Sequence, residues 1–266
     1  MLLLRVLSGI VLVPILVGLV LIGEPWYGAA VGIFAILGAA ELAVMLRAAG
    51  FRPLLPVMLI LAAVFPLDAM WNPGAIVPAG LAIAAVATLL WVMARPAAGA
   101  GLVDWALTLA PPIYIGGLLQ YFIPLRQEPN GPFWVLCVLG LSWSCDTAAY
   151  VVGRIAGRTK LAPQLSPTKS VEGALAGVAA SVAVGLAVAL FGSNPPLHMA
   201  GFGLVVGVAT VGGDLMESFI KRQCGAKDSG ILIPGHGGLL DRMDSLLTAV
   251  AAAYGYQVLI RWWQGA

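Results

Sequence analysis

The chain has 266 residues, of which 61% are hydrophobic and 10% charged, with a formal net charge of +2. Water-soluble domains carry about 25% charged residues to cover their surface, so an ordinary globular domain is excluded and a multispanning membrane protein is indicated. The small net charge gives no reason to expect a nucleic-acid partner, and the scattered Cys137, Cys145 and Cys224 suggest neither a disulfide framework nor a metal knuckle.

A bilayer core roughly 30 Å thick is crossed by about 20 apolar helical residues. On that measure the sequence predicts nine spans, at about residues 6–23, 26–46, 54–70, 74–93, 105–125, 131–152, 172–192, 199–220 and 245–263. The expected fold class is therefore all-α, a polytopic integral membrane protein. The first span, RVLSGIVLVPILVGLVLIG, starts like a signal peptide, but its apolar run exceeds a signal core and no A-x-A site follows promptly, so it reads as an uncleaved helix. The third is short and contains Pro56 and Pro66. Charge distribution decides in its favour, because cytoplasmic loops collect Lys and Arg. With nine spans, twelve basic residues share one side and only Arg126 and Arg261 lie opposite, whereas merging the third and fourth segments gives nine against five. The expected topology has the amino terminus cytoplasmic and the carboxyl terminus outside.

Residues 1–130 have short connections and few charges and read as scaffold helices. Residues 131–266 read as the catalytic region, with polar loops at about 153–171 and 221–244 on the cytoplasmic face. A carboxylate at mid-span costs about 2.5 to 3.5 kcal/mol on insertion scales, so it faces the bundle or a wet cavity rather than lipid. Ser142, Asp146 and Tyr150 recur at i, i+4, i+8 and share one face of the sixth span. Asp214, Glu217, Ser218 and Lys221, at i, i+3, i+4, i+7, share one face of the eighth. Glu41, alone near the end of the second span, reads as a structural or interfacial residue.

Aspartates clustered without a Cys or His pair are hard oxygen ligands, suited to magnesium rather than zinc. Lys160, Lys169, Lys221, Arg222, Lys227 and Arg242 suit phosphates. The run PGHGG, which includes Gly237 and Gly238, lets backbone N–H groups approach an anion closely. Together these features read as phosphoryl or nucleotidyl transfer. No G-x-x-x-x-G-K-[ST] run occurs, which excludes a P-loop NTPase. For His236 two readings stand, a general base or a hydrogen bond that pins the glycine turn.

The stretch SFIKRQCGAKDSGILIPGHGGLLDRMD, from Ser218 to Asp244, resembles the signature of the phosphatidate cytidylyltransferases, also called CDP-diacylglycerol synthases. Asp146 to Tyr150, Gly153, Gly157 and KLAPQLSPTKSVEG from Lys160 to Gly173 resemble the same family's second polar segment, departing from it at Ala148 and at Ser170-Val171. The first half of the chain is similar only in being hydrophobic and multispanning. The resemblance implies a homodimeric enzyme of the bacterial inner membrane. Such an enzyme joins CTP and phosphatidic acid, with magnesium, to give CDP-diacylglycerol and pyrophosphate. It also implies metal ligation by Asp214 and Asp241. On this reading Asp146, Asp228 or Asp244 helps to position metal or water, and a second monovalent or divalent cation can join the magnesium. Lys169, Lys221, Arg222, Lys227 and Arg242 are expected to neutralise the phosphates, with Ser218 and His236 in the same catalytic group. Lys160, Ser166, Lys169, Glu172, Gly237 and Gly238 are expected at the substrates.

Two other classes fit the sequence less well. Alcohol phosphatidyltransferases carry a D-G-x-x-A-R pattern that does not occur here. A secondary transporter often shows inverted symmetry between its halves, but polarity in this chain is concentrated in its second half and no repeat is visible.

Overall fold

The computed structural model describes residues 2–71, 74–94, 101–192, 194–230, 232 and 237–265, with backbone alone at 2–11 and 264. In chain order the helices are α1 (Leu2–Ile22), α2 (Trp26–Ala48), α3 (Leu55–Trp71), α4 (Ile76–Ala94), α5 (Leu102–Leu119), α6 (Phe122–Gln127) and α7 (Gly131–Ala156). A hairpin of β1 (Lys160–Ala162) and β2 (Ser166–Ser170) follows, then α8 (Val171–Phe191), α9 (Pro196–Gln223) and α10 (Leu240–Gln264). Among the described residues seven candidate spans are long and apolar enough to cross a bilayer, one of them made of α5 and α6 together, and Leu12–Ile22 and Leu55–Trp71 are shorter apolar helices. Each of the nine predicted spans thus coincides with helix, and the architecture is that of a polytopic α-helical protein.

Three details differ from the sequence-based expectation. The fifth span breaks at Gln120 and Tyr121 into α5 and α6. The 153–171 loop is not irregular throughout, since β1 and β2 pair antiparallel with Lys160 opposite Ser170 and Ala162 opposite Ser166. The last helix begins at Leu240 rather than near 245, so Asp241, Arg242 and Asp244 belong to helix rather than loop. That early start has a cause outside the local sequence: the first amides of α10 are capped by a carboxylate from α2, described below.

The chain divides into two compact units, one of residues 1–127 and 223–242, the other of residues 128–222 and 243–266. In the first, α2, α3 and α5 pack on one another, with α4 and α6 against them and α1 against α2. Small residues allow this closeness, with Ala35, Ala39 and Ala62 fully buried beside Met58 and Ile115. A Cβ on Gly116 would come 2.7 Å from the Ala62 carbonyl oxygen. The buried acids of this unit serve as caps. Asp68 accepts the N–H groups of Gly74 at 2.7 Å and Ile76 at 2.6 Å, and Asp104 accepts those of Arg52 at 2.5 Å and Gly101 at 3.0 Å. α4 has Thr88 as its buried residue and leaves Ile83 69% exposed, an apolar face that suits lipid rather than water.

In the second unit the helices are held together by glycine contacts, as expected where lipid tails compete for every apolar side chain. A Cβ on Gly177 of α8 would meet the Cys145 carbonyl oxygen of α7 at 2.7 Å, and one on Gly203 of α9 would meet that of Ser181 of α8 at 2.6 Å. Ser170 caps α8 by accepting the Gly173 N–H at 3.1 Å. At the far end of α10, Arg261 grips Glu128 bidentately at 2.7 and 2.8 Å.

Candidate active site

The polar residues converge in two places, one in each unit. In the second unit β2 delivers Lys169 to the polar stripe of α9. Its ammonium lies 2.5 Å from Asp214 Oδ1 and donates to Ser218 Oγ at 3.5 Å. One turn on, Lys221 Nζ lies 2.6 Å from Oε2 of Glu217, whose side chain is fully buried. Lys169, Asp214 and Lys221 each keep part of their surface open, so the two ammonium groups are aimed by carboxylates without being sealed off.

Beside this stripe, α7 and α10 contribute two more acids. Ser245 Oγ stands 3.2 Å from Asp146 Oδ2 and 3.0 Å from Asp244 Oδ1, so its one proton can turn to either carboxylate. Asp146 is within Coulombic reach of both Asp214 and Asp244, and Asp244 of Asp214. Gly213 makes the approach of α10 to α9 feasible, since a Cβ there would meet the Asp244 carbonyl oxygen at 2.6 Å. Three like charges held together lower their mutual repulsion by gathering cations.

Among the described residues no three His, Cys, Asp or Glu side chains form a ready-made metal cage. Magnesium does not need one, because it keeps waters and is held by one or two carboxylates plus substrate phosphates. The hard oxygen donors of Asp146, Asp214 and Asp244 fit such an ion, and their mutual repulsion is what it would relieve.

The stripe on α7 does not act as one surface. Ser142 is fully buried and accepts the Thr210 hydroxyl at 3.1 Å, joining α7 to α9. Tyr150 is 64% exposed and accepts from Arg154 at 2.9 Å. Asp146 alone of the three joins the acidic cluster. Glu172 accepts the N–H groups of Arg158 at 3.1 Å and Thr159 at 3.0 Å, which ties the turn before β1 to the start of α8. Ser166 pairs with Thr168 at 3.4 Å, Lys160 is exposed, and exposed Arg222 donates to the Leu165 carbonyl at 3.2 Å.

In the first unit the residues from Gly237 to Asp241 gather around Ser229. Asp241 Oδ2 accepts the Ser229 N–H at 2.8 Å, its hydroxyl at 2.9 Å and the Gly238 N–H at 3.0 Å. Glu41 of α2 accepts the N–H groups of Leu239 at 2.9 Å and Leu240 at 2.8 Å, and its Oε2 lies 3.3 Å from the Ser229 hydroxyl. Gly237 adopts φ +88°, a conformation costly for any side chain, within reach of Asp241. Lys227, Asp228 and Arg242 are exposed, and His236 lies outside the described residues. Asp214 and Asp241 belong to different units.

Sequence reading alone did not assign Glu217, Ser229 or Ser245 to the site. Glu217 carried a signal in its i, i+4 spacing to Lys221. Ser229 and Ser245 carried none apart from their neighbourhood, because a serine hydroxyl acquires its partners only on folding.

The family model described as the cytidylyltransferase family matches residues 3–260. A phosphatidate cytidylyltransferase of Synechocystis sp. is 30% identical over 285 aligned positions that cover 96% of each chain. One of Mycobacterium bovis is 30% identical across 94% of this chain and 88% of its own. One of Brucella suis is 35% identical over 68% of this chain and 65% of its own.

Proposed function

We propose, from the premise that this chain belongs to the cytidylyltransferase family, that it is a phosphatidate cytidylyltransferase, transferring CMP from CTP to phosphatidic acid. The products are CDP-diacylglycerol and pyrophosphate. The observation that carries this reading is the presentation of Lys169 and Lys221 by Asp214 and Glu217 beside the acids Asp146 and Asp244. Both substrates are polyanions, so cations must offset their repulsion before a bond can form.

The chain's residues divide that work. Lys169, fixed between Asp214 and Ser218, and Lys221, fixed by Glu217, present ammonium groups to phosphate oxygens without searching for a conformation. Exposed Arg222 stands at the end of α9, where it can grip a phosphate bidentately. Asp146, Asp214 and Asp244 are the residues that would hold magnesium, with Ser245 beside the first and last of them. When bound, that ion supplies charge neutralisation to the triphosphate. An oxygen of the phosphatidate monoester then forms a bond to the α-phosphorus of CTP while the bond to the β-phosphate bridge breaks and pyrophosphate departs. Phosphate monoesters have a second pKa of about 6, so the attacking oxygen is largely deprotonated at neutral pH and no strong base is required.

Membrane placement follows the charge distribution, with the polar segments and the amino terminus in the cytoplasm and the carboxyl terminus outside. Acyl chains then stay in lipid while the headgroup meets a nucleotide arriving from water. Placement in a bacterial inner membrane as a homodimer, and ligation of a cation by Asp241, complete the proposal. The test is direct: purified protein incubated with phosphatidate, labelled CTP and magnesium should release pyrophosphate and form labelled CDP-lipid. Folded protein that forms none, or that carries solute into vesicles without consuming nucleotide, overturns the reading.

A further inference from the structure

We infer that Glu41, in the scaffold half of the chain, is a positioning residue for the signature segment that ends in Asp241; the inference rests on the cytidylyltransferase reading.

Its carboxylate accepts Leu239 N–H at 2.9 Å and Leu240 N–H at 2.8 Å, 198 and 199 positions away, and its Oε2 stands 3.3 Å from Ser229 Oγ, whose one proton can turn to Glu41 or to Asp241. The first two lie at the start of α10, where helical amides lack intrahelical partners and the helix dipole favours an anion. Glu41 thus supplies from α2 the cap that the local sequence does not. The surrounding chain leaves room for it. A Cβ on Gly230 would come 2.8 Å from Glu41 Oε1, and one on Gly238 would come 2.7 Å from Oε2. Both glycines therefore serve the carboxylate's entry as well as the turn itself.

The link to chemistry runs through Ser229. Its hydroxyl lies 3.3 Å from Glu41 and 2.9 Å from Asp241, and it also accepts the Asp241 N–H at 3.2 Å. Glu41 fixes one end of this arrangement and Asp241 occupies the other. A glutamine at 41 keeps one acceptor but turns an NH2 group toward a donor, so at least one contact becomes repulsive. An aspartate keeps the charge and both acceptors on a shorter stem.

The experiment compares Glu41→Gln, Glu41→Asp and wild type, in detergent with phosphatidate and CTP, alongside hydrogen exchange of peptides covering 228–242. Glu41→Gln should lower kcat by about tenfold or more, equivalent to about 1.4 kcal/mol. It should change KM for CTP less than kcat and speed exchange in 228–242 while α7 and α8 peptides remain unchanged. Glu41→Asp should recover part of kcat and of the protection. Wild-type kcat in Glu41→Gln, or unchanged exchange in 228–242, overturns the inference. So does loss of activity that tracks only the loss of folded protein. If wild-type protein makes no CDP-lipid, the activity reading has failed, and exchange alone then decides whether Glu41 holds the segment.

Discussion

The ammonium of Lys169 lies 2.5 Å from the carboxylate of Asp214, joining the β2 strand to the C-terminal half of α9. Both groups are partly exposed, so the pair contributes at most about 1 kcal/mol to stability. Its value lies in aiming a cation at phosphate. Lys169→Met should therefore leave the melting temperature in detergent nearly unchanged while lowering kcat by roughly 10²- to 10³-fold, the usual cost of removing one preorganised electrostatic contact. A near-normal kcat would remove Lys169 from the mechanism.

Glu217 and Lys221 present the opposite balance. Glu217 is fully buried and Lys221 nearly so, at 2.6 Å from each other. Removing one partner of a buried pair leaves a desolvated charge and costs about 3 to 5 kcal/mol. Glu217→Leu should thus destabilise the protein strongly. The double variant Glu217→Leu, Lys221→Met should regain much of the stability but not the turnover. Thermal melting followed by an assay of the surviving fraction separates the two effects.

Asp214→Asn and Asp241→Asn should each abolish CDP-lipid formation in protein that still melts cooperatively, and chelation by EDTA should do the same to wild type until magnesium is restored. The two variants need separate controls. Asp214 is held by one ion pair, whereas Asp241 Oδ2 ties α10 to the segment before it through three donors, so Asp241→Asn should also show the larger fall in melting temperature. Near-normal activity in both variants would end the ligand assignment.

Two glycines facing different surroundings test the packing of α7 and α8. A Cβ on Gly177 would meet the Cys145 carbonyl oxygen at 2.7 Å, while one on Gly140 meets nothing within 4 Å. Gly140→Ala should be neutral or stabilising by up to about 1 kcal/mol through the unfolded state. Gly177→Ala should force the helices apart and lower the melting temperature. Equal effects would mean that the close approach contributes nothing.

Helical spans and the signature were legible because both are local. About 20 apolar residues between polar punctuation imply a crossing whatever they pack against, and the spacing of Asp214, Glu217, Ser218 and Lys221 puts them on one face by helix geometry alone. Partner choice was not legible. The same periodicity that aligned Ser142, Asp146 and Tyr150 could not reveal that Ser142 would be spent on Thr210 and Tyr150 turned outward, leaving Asp146 to the acidic cluster. Glu41 shows the limit most clearly. Its sequence neighbourhood is an ordinary apolar span, and its role exists only because folding brings it to amides 198 and 199 positions away. Short-range chain geometry decides which side chains share a face. Which of them meet a charge, a hydroxyl or an uncapped helix end depends on contacts between distant segments, and these form only with the tertiary structure.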